Sequence, residues 1–220
     1  MEALTWSVTQ AEREFYGEHL VLLEGAISEF LSCMDMIRRY RVSLGKDDPV
    51  ASVQARIKGA DSMRQKLKRQ GLPVTVDSAL HKVWDATGVR LICPFVSEIY
   101  TTASLIRGIP GIRVLREKDY VRFPKPNGYR SYHMVVCLPL RFLERQQQPV
   151  WLELQIRTIA MDCWASIEHQ LKYKKDIPNQ KLIVQELKRC ADEIASTDLS
   201  LQTIRELIEG SEREELPCGF

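Results

Sequence analysis

Residues 150 to 157 read VWLELQIR, an alternation of apolar and polar side chains that decides the fold class. Successive side chains of a β-strand point to opposite faces, so Glu153, Gln155 and Arg157 share one face and the leucines and isoleucine between them share the other. Three polar side chains in line are costly on a sheet face unless they meet solvent, each other or a ligand. The stretch therefore predicts a strand whose polar face is either exposed or the wall of a binding cleft.

Working outward, four shorter patterns predict further strands at about 53–58, 89–93, 112–121 and 130–138. Apolar residues at three- and four-residue steps predict a long first helix from Tyr16, a helix after residue 157 and a last helix at about 181–209. Two more helices are expected, one capped by Asp61 or Ser62 and one capped by Ser97. The predicted fold class is mixed α/β (α+β), a five-stranded mixed sheet flanked by helices.

The predicted organisation is an N-terminal helical segment at 1–45, a core at 50–176 and a C-terminal helix with a loose tail at 177–220. Together these form one structural domain. The apolar stripes of the terminal helices serve either the domain core or an oligomer interface.

Composition excludes several classes of protein. A net charge of +2 over 220 residues gives no global field for nucleic acid, although basic residues cluster locally. The six cysteines form no CxxC pair and no Cys/His ligand spacing, which argues against a disulfide framework or a zinc site, and Cys93 and Cys137 read as buried. No apolar run reaches membrane-spanning length and no signal peptide is apparent, so a cytoplasmic protein with no membrane partner is expected.

The segment FPKPNGYRSYH, residues 123 to 133, is a Pro/Gly turn that carries Lys125, Tyr129 and His133. A lysine for phosphate charge, a ring for base stacking and a histidine for hydrogen bonding suit a nucleotide pocket. The same residue types also form ordinary surface hairpins. Sequence chemistry alone leaves both interpretations open.

Basic residues line the first two predicted strands as well. Arg56 and Lys58 form a polar row on the first strand, and Arg90 lies on the second. The helix after Lys58 carries Ser62 and, four residues further along the same face, Lys66. Its N-terminal N–H groups and these side chains could hold phosphate oxygens, although the Walker pattern GxxxxGK[ST] is absent.

These segments, with the D-x-x-G-x-R sequence at residues 85–90, the E-x-Q at 153–155 and the E-H at 168–169, resemble the synthetase domain of the RelA/SpoT family. The resemblance runs from about residue 53 to residue 174, with five motifs in order. The chain's length is similar to that of the single-domain members, the small alarmone synthetases. The resemblance implies a fold related to nucleotidyltransferases.

The resemblance assigns residues to a nucleotide donor and a metal. It places Arg56, Lys58, Ser62 and Lys66 around ATP, with the adenine between Arg56 and Arg90. It gives Asp85 and Glu153 to Mg²⁺, which prefers oxygen ligands. Glu153 and Asp85 are also the expected catalytic residues, with Glu153 orienting or deprotonating the attacking hydroxyl.

The resemblance also implies an acceptor site for GDP or GTP. Tyr129 would stack on guanine, with Lys125, Asn127, His133 and Gln155 around the sugar and phosphates. Arg157 and His169 fall in matching stretches. Lys172 stands where some small synthetases carry Asn, so its role is open.

The activity that the resemblance implies is that of a GTP diphosphokinase. The β,γ-diphosphate of ATP passes to the 3'-hydroxyl of GDP or GTP, AMP leaves, and the alarmone (p)ppGpp forms. Known small members are homotetramers, so a homo-oligomer is expected. Two alternatives remain from the sequence: a nucleotide- or RNA-binding regulator on the same fold, and an enzyme acting on another acceptor such as tRNA ends or adenosine nucleotides. The preference among GDP, GTP and GMP and regulation by RNA or (p)ppGpp also stay open.

Overall fold

A computed structural model describes residues 8–140, 148–172 and 179–214. Its strands are β1 (Ser52–Ile57), β2 (Thr87–Cys93), β3 (Arg113–Asp119), β4 (Tyr132–Leu140) and β5 (Gln148–Thr158). Its helices are α1 (Gln10–Tyr16), α2 (His19–Ser43), α3 (Ala60–Arg69), α4 (Val76–His81), α5 (Val96–Arg107), α6 (Ile159–Lys172) and α7 (Gln180–Glu214). The tail 215–220 and the side chain of Lys172, for which the sequence raised expectations, lie outside this description.

The five strands form one sheet in the order β1-β2-β5-β4-β3. Strands β2 and β5 pair in parallel, and the other three pairs are antiparallel. The predicted mixed five-stranded sheet is therefore confirmed. Strand β5, which carries the VWLELQIR stretch, occupies the centre of the sheet between β2 and β4.

The apolar face of the sheet and the neighbouring helices make one hydrophobic core. Leu152, Leu154 and Ile156 of β5 are fully buried, as the alternation predicts. Helix α2 buries the stripe Leu20, Leu23, Ile27, Phe30 and Met34, whose spacing of three and four residues keeps them on one helix face. Because this face of the sheet is sealed, the polar residues of β5 can only serve the opposite face.

Four sequence-based expectations about helices were wrong. The first helix is broken at Gly17, whose φ of 55° ends α1 before α2 begins. The short helix α4 was not predicted. Helix α5 follows Phe95, so Ser97 lies inside the helix instead of capping it.

The N-terminus of α3 also differs from the prediction. The helix follows Gly59, so neither Asp61 nor Ser62 is its N-cap. The Ala60 N–H instead donates to Glu12 Oε1 of α1 at 2.9 Å. A carboxylate from a distant part of the chain thus replaces the local cap, because it satisfies the same unpaired backbone donor.

Two further expectations were confirmed: Cys93 and Cys137 are buried. Within the residues described, no helix is long and apolar enough to cross a membrane.

Candidate functional site

Cross-strand register brings the predicted site residues into two rows on the polar face of the sheet. In one row Arg56 lies opposite Gly88, Gly88 opposite Glu153, and Glu153 opposite Val135. In the other, Arg90 lies opposite Gln155 and Gln155 opposite His133. Residues far apart in sequence therefore become neighbours, because strand pairing sets their spacing at about 5 Å.

Two cavities open over these rows and meet at the same two carboxylates. The β1–β2 cavity, of about 210 Å³, is lined by Gln54, Ala55, Arg56, Asp85, Gly88, Val89, Arg90, Glu153 and Gln155. The β3–β4 cavity, of about 290 Å³, is lined by Lys66, Gln70, Trp84, Asp85, Arg116, Lys118, Tyr120, Lys125, His133, Val135 and Glu153. Asp85 and Glu153 line both. Arg56 and Arg90, which the resemblance assigns to ATP, line the β1–β2 cavity, and Lys125 and His133, which it assigns to the acceptor, line the β3–β4 cavity. Lys66 and Gln155 each line the cavity opposite to their assignment.

Asp85 is held by two lysines. Its Oδ2 is 3.1 Å from Lys58 Nζ and 2.7 Å from Lys66 Nζ. Burial raises the pKa of Asp85, but hydrogen bonds and positive charge from Lys66 and Lys58 outweigh burial and lower the pKa below its ordinary value. Asp85 Oδ1 is buried, and no described residue hydrogen-bonds to it. An ionised, unpartnered oxygen in a cleft is suited to ligating a cation.

Glu153 lies mid-strand between the two cavities. Its Oε1 is 3.7 Å from His133 Nδ1. Burial raises the pKa of Glu153, but the interaction with His133 opposes burial and brings the pKa below its ordinary value, while the negative charge of Asp85 raises it. Glu153 is therefore ionised at neutral pH and placed to accept a proton or share a cation with Asp85.

These carboxylates form a small donor set. Across the described ranges, no group of three or more His, Cys, Asp or Glu side chains could hold a metal ion. Two carboxylates nevertheless fit Mg²⁺, which keeps several waters and draws its other ligands from substrate phosphates. The unpartnered Asp85 Oδ1 is the observation that favours this fit.

Tyr129 lies at the centre of a polar and cationic cluster. Its hydroxyl is 2.8 Å from His133 Nε2 and accepts a hydrogen bond from Arg157 Nη2 at 2.6 Å. Lys125 Nζ is 4.6 Å, and Arg157 Cζ 5.1 Å, from the centroid of its ring. Tyr120 packs edge-on beside it at 6.2 Å. These contacts fix the orientation of the ring.

Arg90 stands on the wall of the β1–β2 cavity. Burial and the positive charges of Arg157 and Arg56 lower the pKa of Arg90, whereas the negative charge of Asp162 raises it. Its Nη1 lies 3.1 Å from Asp162 Oδ1. The Arg90 Nε is buried and lacks a hydrogen-bond partner in the described part of the chain, so the side chain retains an unused donor.

Six predicted site residues line neither cavity: Lys58 and Tyr129, whose contacts are given above, and Ser62, Asn127, Arg157 and His169. Asn127 donates to Glu168 Oε1 at 3.0 Å and accepts from the Tyr129 N–H at 3.3 Å, so it shapes the loop. Arg157 is buried behind Tyr129. His169 on α6 and Ser62 on α3 are exposed. The ligand-contacting roles of these residues stay predictions.

Six residues that line the β3–β4 cavity were not predicted from the sequence: Gln70, Trp84, Arg116, Lys118, Tyr120 and Val135. Trp84 precedes Asp85 and stacks on Trp151, with ring centroids 4.4 Å apart. Arg116, Lys118 and Tyr120 recur at every second residue, a period that places them on one face of an extended strand. That signal was available, whereas nothing local to Trp84 marks it as a cavity residue.

Comparison with known proteins shows which family the sequence resembles. The sequence profile described as "Region found in RelA / SpoT proteins" matches residues 55–178. The GTP pyrophosphokinase YwaC of Bacillus subtilis is 40% identical over 147 residues, covering 66% of this chain and 69% of YwaC. The GTP pyrophosphokinase YjbM of the same organism is 32% identical over 157 residues, covering 71% of this chain and 72% of YjbM.

Solved structures give the same answer. The crystal structure of small alarmone synthetase 2 from Bacillus subtilis is similar with a TM-score of 0.76 and 33% identity, covering 86% of this chain and 98% of that one. Small alarmone synthetase 1 from the same organism, bound to its product pppGpp, gives a TM-score of 0.77 and 30% identity, covering 86% and 96%. The sequence profile, the relatives and the fold agree, and the chain belongs to the RelA/SpoT family.

Proposed function

We propose that this protein is a (p)ppGpp synthetase, a GTP diphosphokinase that transfers the β,γ-diphosphate of ATP to the 3'-hydroxyl of GDP or GTP. The observation that carries the proposal is the pair of cavities that meet at Asp85 and Glu153. A two-substrate transfer needs two pockets whose reacting ends share one catalytic centre. The named relatives are GTP pyrophosphokinases, and one structural relative holds pppGpp as its product.

ATP occupies the β1–β2 cavity in this proposal. Arg56 and Arg90 project from adjacent strands, two residues apart along the pleat, and their planar guanidinium groups suit stacking on adenine. Lys58 and Lys66 contact Asp85, which lines both cavities, and the phosphates of ATP would reach this point. Both ammonium groups would offset the charge that develops on the transferred diphosphate and on AMP.

GDP or GTP occupies the β3–β4 cavity. Tyr120 lines this cavity and Tyr129 lies beside it, with ring centroids 6.2 Å apart, so the two rings would provide aromatic surface for the base. Lys125, Lys118 and Arg116 would provide charge for the 5'-phosphates. This orientation directs the ribose 3'-hydroxyl toward Glu153. His133 lines this cavity and lies opposite Gln155 in the neighbouring row, and both side chains would hydrogen-bond the sugar.

The reaction then follows from these positions. The 3'-oxygen attacks the β-phosphorus of ATP, the new O–P bond forms, the bond between the β-phosphorus and the bridging oxygen breaks, and AMP leaves with that oxygen. Glu153 accepts the proton of the 3'-hydroxyl, because it is ionised and lies between the cavities. Catalysis is mainly positioning and charge neutralisation, as in phosphoryl transfer generally.

Asp85 and Glu153 would hold Mg²⁺ in this proposal. When bound, the ion neutralises phosphate charge and polarises the reacting phosphorus centre. Asp85 Oδ1 supplies the unused ligand atom, and Lys58 and Lys66 keep the carboxylate ionised.

A homotetramer is proposed for the assembly. Helix α7 exposes Leu199, Ile204, Leu207 and Ile208, and α2 exposes Val21, Met36 and Tyr40. Exposed apolar side chains repeated along helices are typical of subunit interfaces.

The direct test supplies the purified protein with ATP labelled in its terminal phosphates, Mg²⁺, and GDP, GTP or GMP in turn. The expected product is a guanosine nucleotide that carries the label, with AMP released in equal amount. ADP and CDP serve as control acceptors, and transfer to them at the same rate would contradict a guanosine acceptor. Absence of labelled guanosine product with all three guanosine nucleotides would remove the proposal.

A further inference from the structure

Asp162, in the first turn of α6, joins the two halves of the site. Its Oδ1 is 3.1 Å from Arg90 Nη1 and 3.0 Å from Arg157 Nη1. One carboxylate oxygen therefore binds two guanidinium groups. Asp162 lines neither the β1–β2 cavity nor the β3–β4 cavity, so any effect it has on a nucleotide must act through these arginines.

On the ATP side of the site, Asp162 offsets the charge of several neighbouring arginines. Arg56, Arg90 and Arg157 lie near one another, and the charges of Arg157 and Arg56 act against that of Arg90. Asp162 is the carboxylate that counters this repulsion. Its negative charge holds the Arg90 guanidinium on the cavity wall, because similar positive charges would otherwise drive it toward solvent.

On the acceptor side, Asp162 fixes the residue behind the tyrosine. Arg157 is 4% exposed, and its Nη2 donates to the Tyr129 hydroxyl at 2.6 Å and to Gln155 Oε1 at 2.8 Å. The Tyr129 hydroxyl in turn meets His133 Nε2 at 2.8 Å. With one donor group of Arg157 fixed on Asp162, the other is aimed at Tyr129.

We infer that Asp162 is a positioning residue for both nucleotides of the proposed reaction. A continuous set of polar contacts runs from Arg90 through Asp162 and Arg157 to Tyr129 and His133. Removing the charge at its midpoint weakens the contact that fixes the arginine on each side, although Arg157 keeps its bonds to Tyr129 and Gln155. The inference rests on the proposed function for the identity of the two ligands, and it adds a residue that holds the donor and acceptor platforms in one arrangement.

The experiment compares Asp162→Asn with the wild type by direct binding of GDP and, separately, of a non-hydrolysable ATP analogue. Asn keeps the size and one oxygen acceptor but removes the charge. Both dissociation constants should rise about tenfold, the factor expected for losing a charge-assisted hydrogen bond on each side. Asp77→Asn is the matched control, since Asp77 is an exposed helical carboxylate paired with His81, and it should leave both constants unchanged.

Turnover separates positioning from a purely structural role. With both nucleotides saturating, Asp162→Asn should keep kcat within about threefold of wild type, because Glu153, Asp85 and the two lysines contact other partners. A lower kcat with unchanged KM values would overturn the inference. Weaker binding of only one of the two nucleotides would overturn it too. A lower melting temperature with normal binding of both nucleotides would overturn it as well.

Asp162→Glu supplies a second test, because it keeps the negative charge with a longer side chain. Its affinities for both nucleotides should lie between those of the wild type and Asp162→Asn, and affinities below those of Asp162→Asn would contradict a role for the charge. If Asp162→Asn does not fold, Asp162→Glu against wild type carries the test, and a loss confined to one nucleotide overturns the inference. Binding needs no turnover, so wild-type protein that forms no (p)ppGpp would contradict the proposed function alone.

Discussion

At the scale of single residues, the two carboxylates of the site are held in different ways. Asp85 has lysine partners on one oxygen and none on the other, whereas Glu153 has one distant histidine. This difference predicts separate consequences for changing each of them. Asp85 is expected to matter for stability as well as for activity, and Glu153 mainly for activity.

Glu153→Gln should reduce turnover by about 10²- to 10⁴-fold, because the amide cannot accept the proton of the 3'-hydroxyl. GDP binding should survive, since Tyr129 and Lys125 remain. Glu117→Gln is the matched control, as Glu117 is a strand carboxylate paired with Arg107 away from both cavities. A folded, GDP-binding Glu153→Gln protein with near-normal turnover would contradict the proposed mechanism.

Stability should depend on pH through Asp85. Its pKa in the folded protein lies below the ordinary 3.8, so between these values the unfolded chain binds a proton that the folded protein does not. The stability that Asp85 contributes is therefore complete well above pH 3.8 and is lost as the pH falls through the folded pKa.

The melting temperature of the wild type should exceed that of Asp85→Asn at pH 7, because the variant leaves Lys58 and Lys66 without their partner. The difference in melting temperature between wild type and Asp85→Asn should narrow below about pH 4. A constant gap in melting temperature down to pH 3 would exclude this linkage.

The Tyr129 ring and its hydroxyl are expected to contribute separately. Stacking of a base on an aromatic ring is worth about 1–3 kcal/mol, so Tyr129→Ala should raise the KM for GDP about tenfold or more and leave that for ATP nearly unchanged. Tyr129→Phe keeps the ring and loses only the contacts to His133 and Arg157, so its effect should be smaller. If Tyr129→Ala raised the KM values for GDP and ATP equally, Tyr129 would be important for the fold and not for binding of the acceptor.

The sheet face on which a residue lies was predictable from the sequence, but side-chain contacts were not. The alternation in β5 correctly places Glu153, Gln155 and Arg157 on one face. That Arg157 turns away from the cavity and toward Asp162 depends on α6, and side-chain direction of this kind leaves no local pattern. Asp162 was missed for the same reason.

Among the helices and strands, helix α7 supports the loop that carries Gly128 and Tyr129. Trp164 of α6 donates to the Leu187 carbonyl of α7 at 2.8 Å, and Tyr129 packs with Ala191 in a small second core. Gly128 lies against α7 so closely that a Cβ there would come within 2.5 Å of the Ala191 Cβ. The position of the loop is therefore set by α7 as well as by its own turn.

Gly128→Ala should displace the loop, because its φ of 89° is unfavourable for alanine and the added methyl meets α7. A shift of about 1 Å at a substrate platform costs up to about 10²-fold, so the KM for GDP should rise by roughly that factor while that for ATP changes little. Gly45→Ala is the matched control, with a φ of 71° and open space around it. If both variants behave alike, backbone strain alone explains the result.

Elements with strong periodicity were predicted, and those set by distant contacts were not. The strands, α2 and α7 have long apolar patterns. Helix α4 has only six residues, too few for a pattern to emerge. The start of α3 depends on Glu12, which lies 48 residues before Ala60, so no local cap signal could reveal it.

At the scale of the whole molecule, the exposed apolar side chains of α2 and α7 predict self-association. Leu199 and Leu207 of α7 are 65% and 66% exposed. Light scattering at micromolar concentration should give a mass several times that of the chain, with four copies expected. The double change Leu199→Lys and Leu207→Lys should lower this mass, because charge disfavours an apolar interface. A strictly monomeric wild type would remove the prediction.

The strand order has a consequence for how the chain folds. Strands β1 and β2 pair with each other, as do β3 and β4, but the two pairs share no hydrogen bonds until β5 inserts between them. β5 is the last strand in the sequence, so the sheet closes late, through contacts that span long stretches of chain. The β1–β2 cavity includes residues of one pair and the β3–β4 cavity residues of the other, and neither pair is in register with Glu153 before β5 inserts. The protein therefore gains both nucleotide sites in the same folding event.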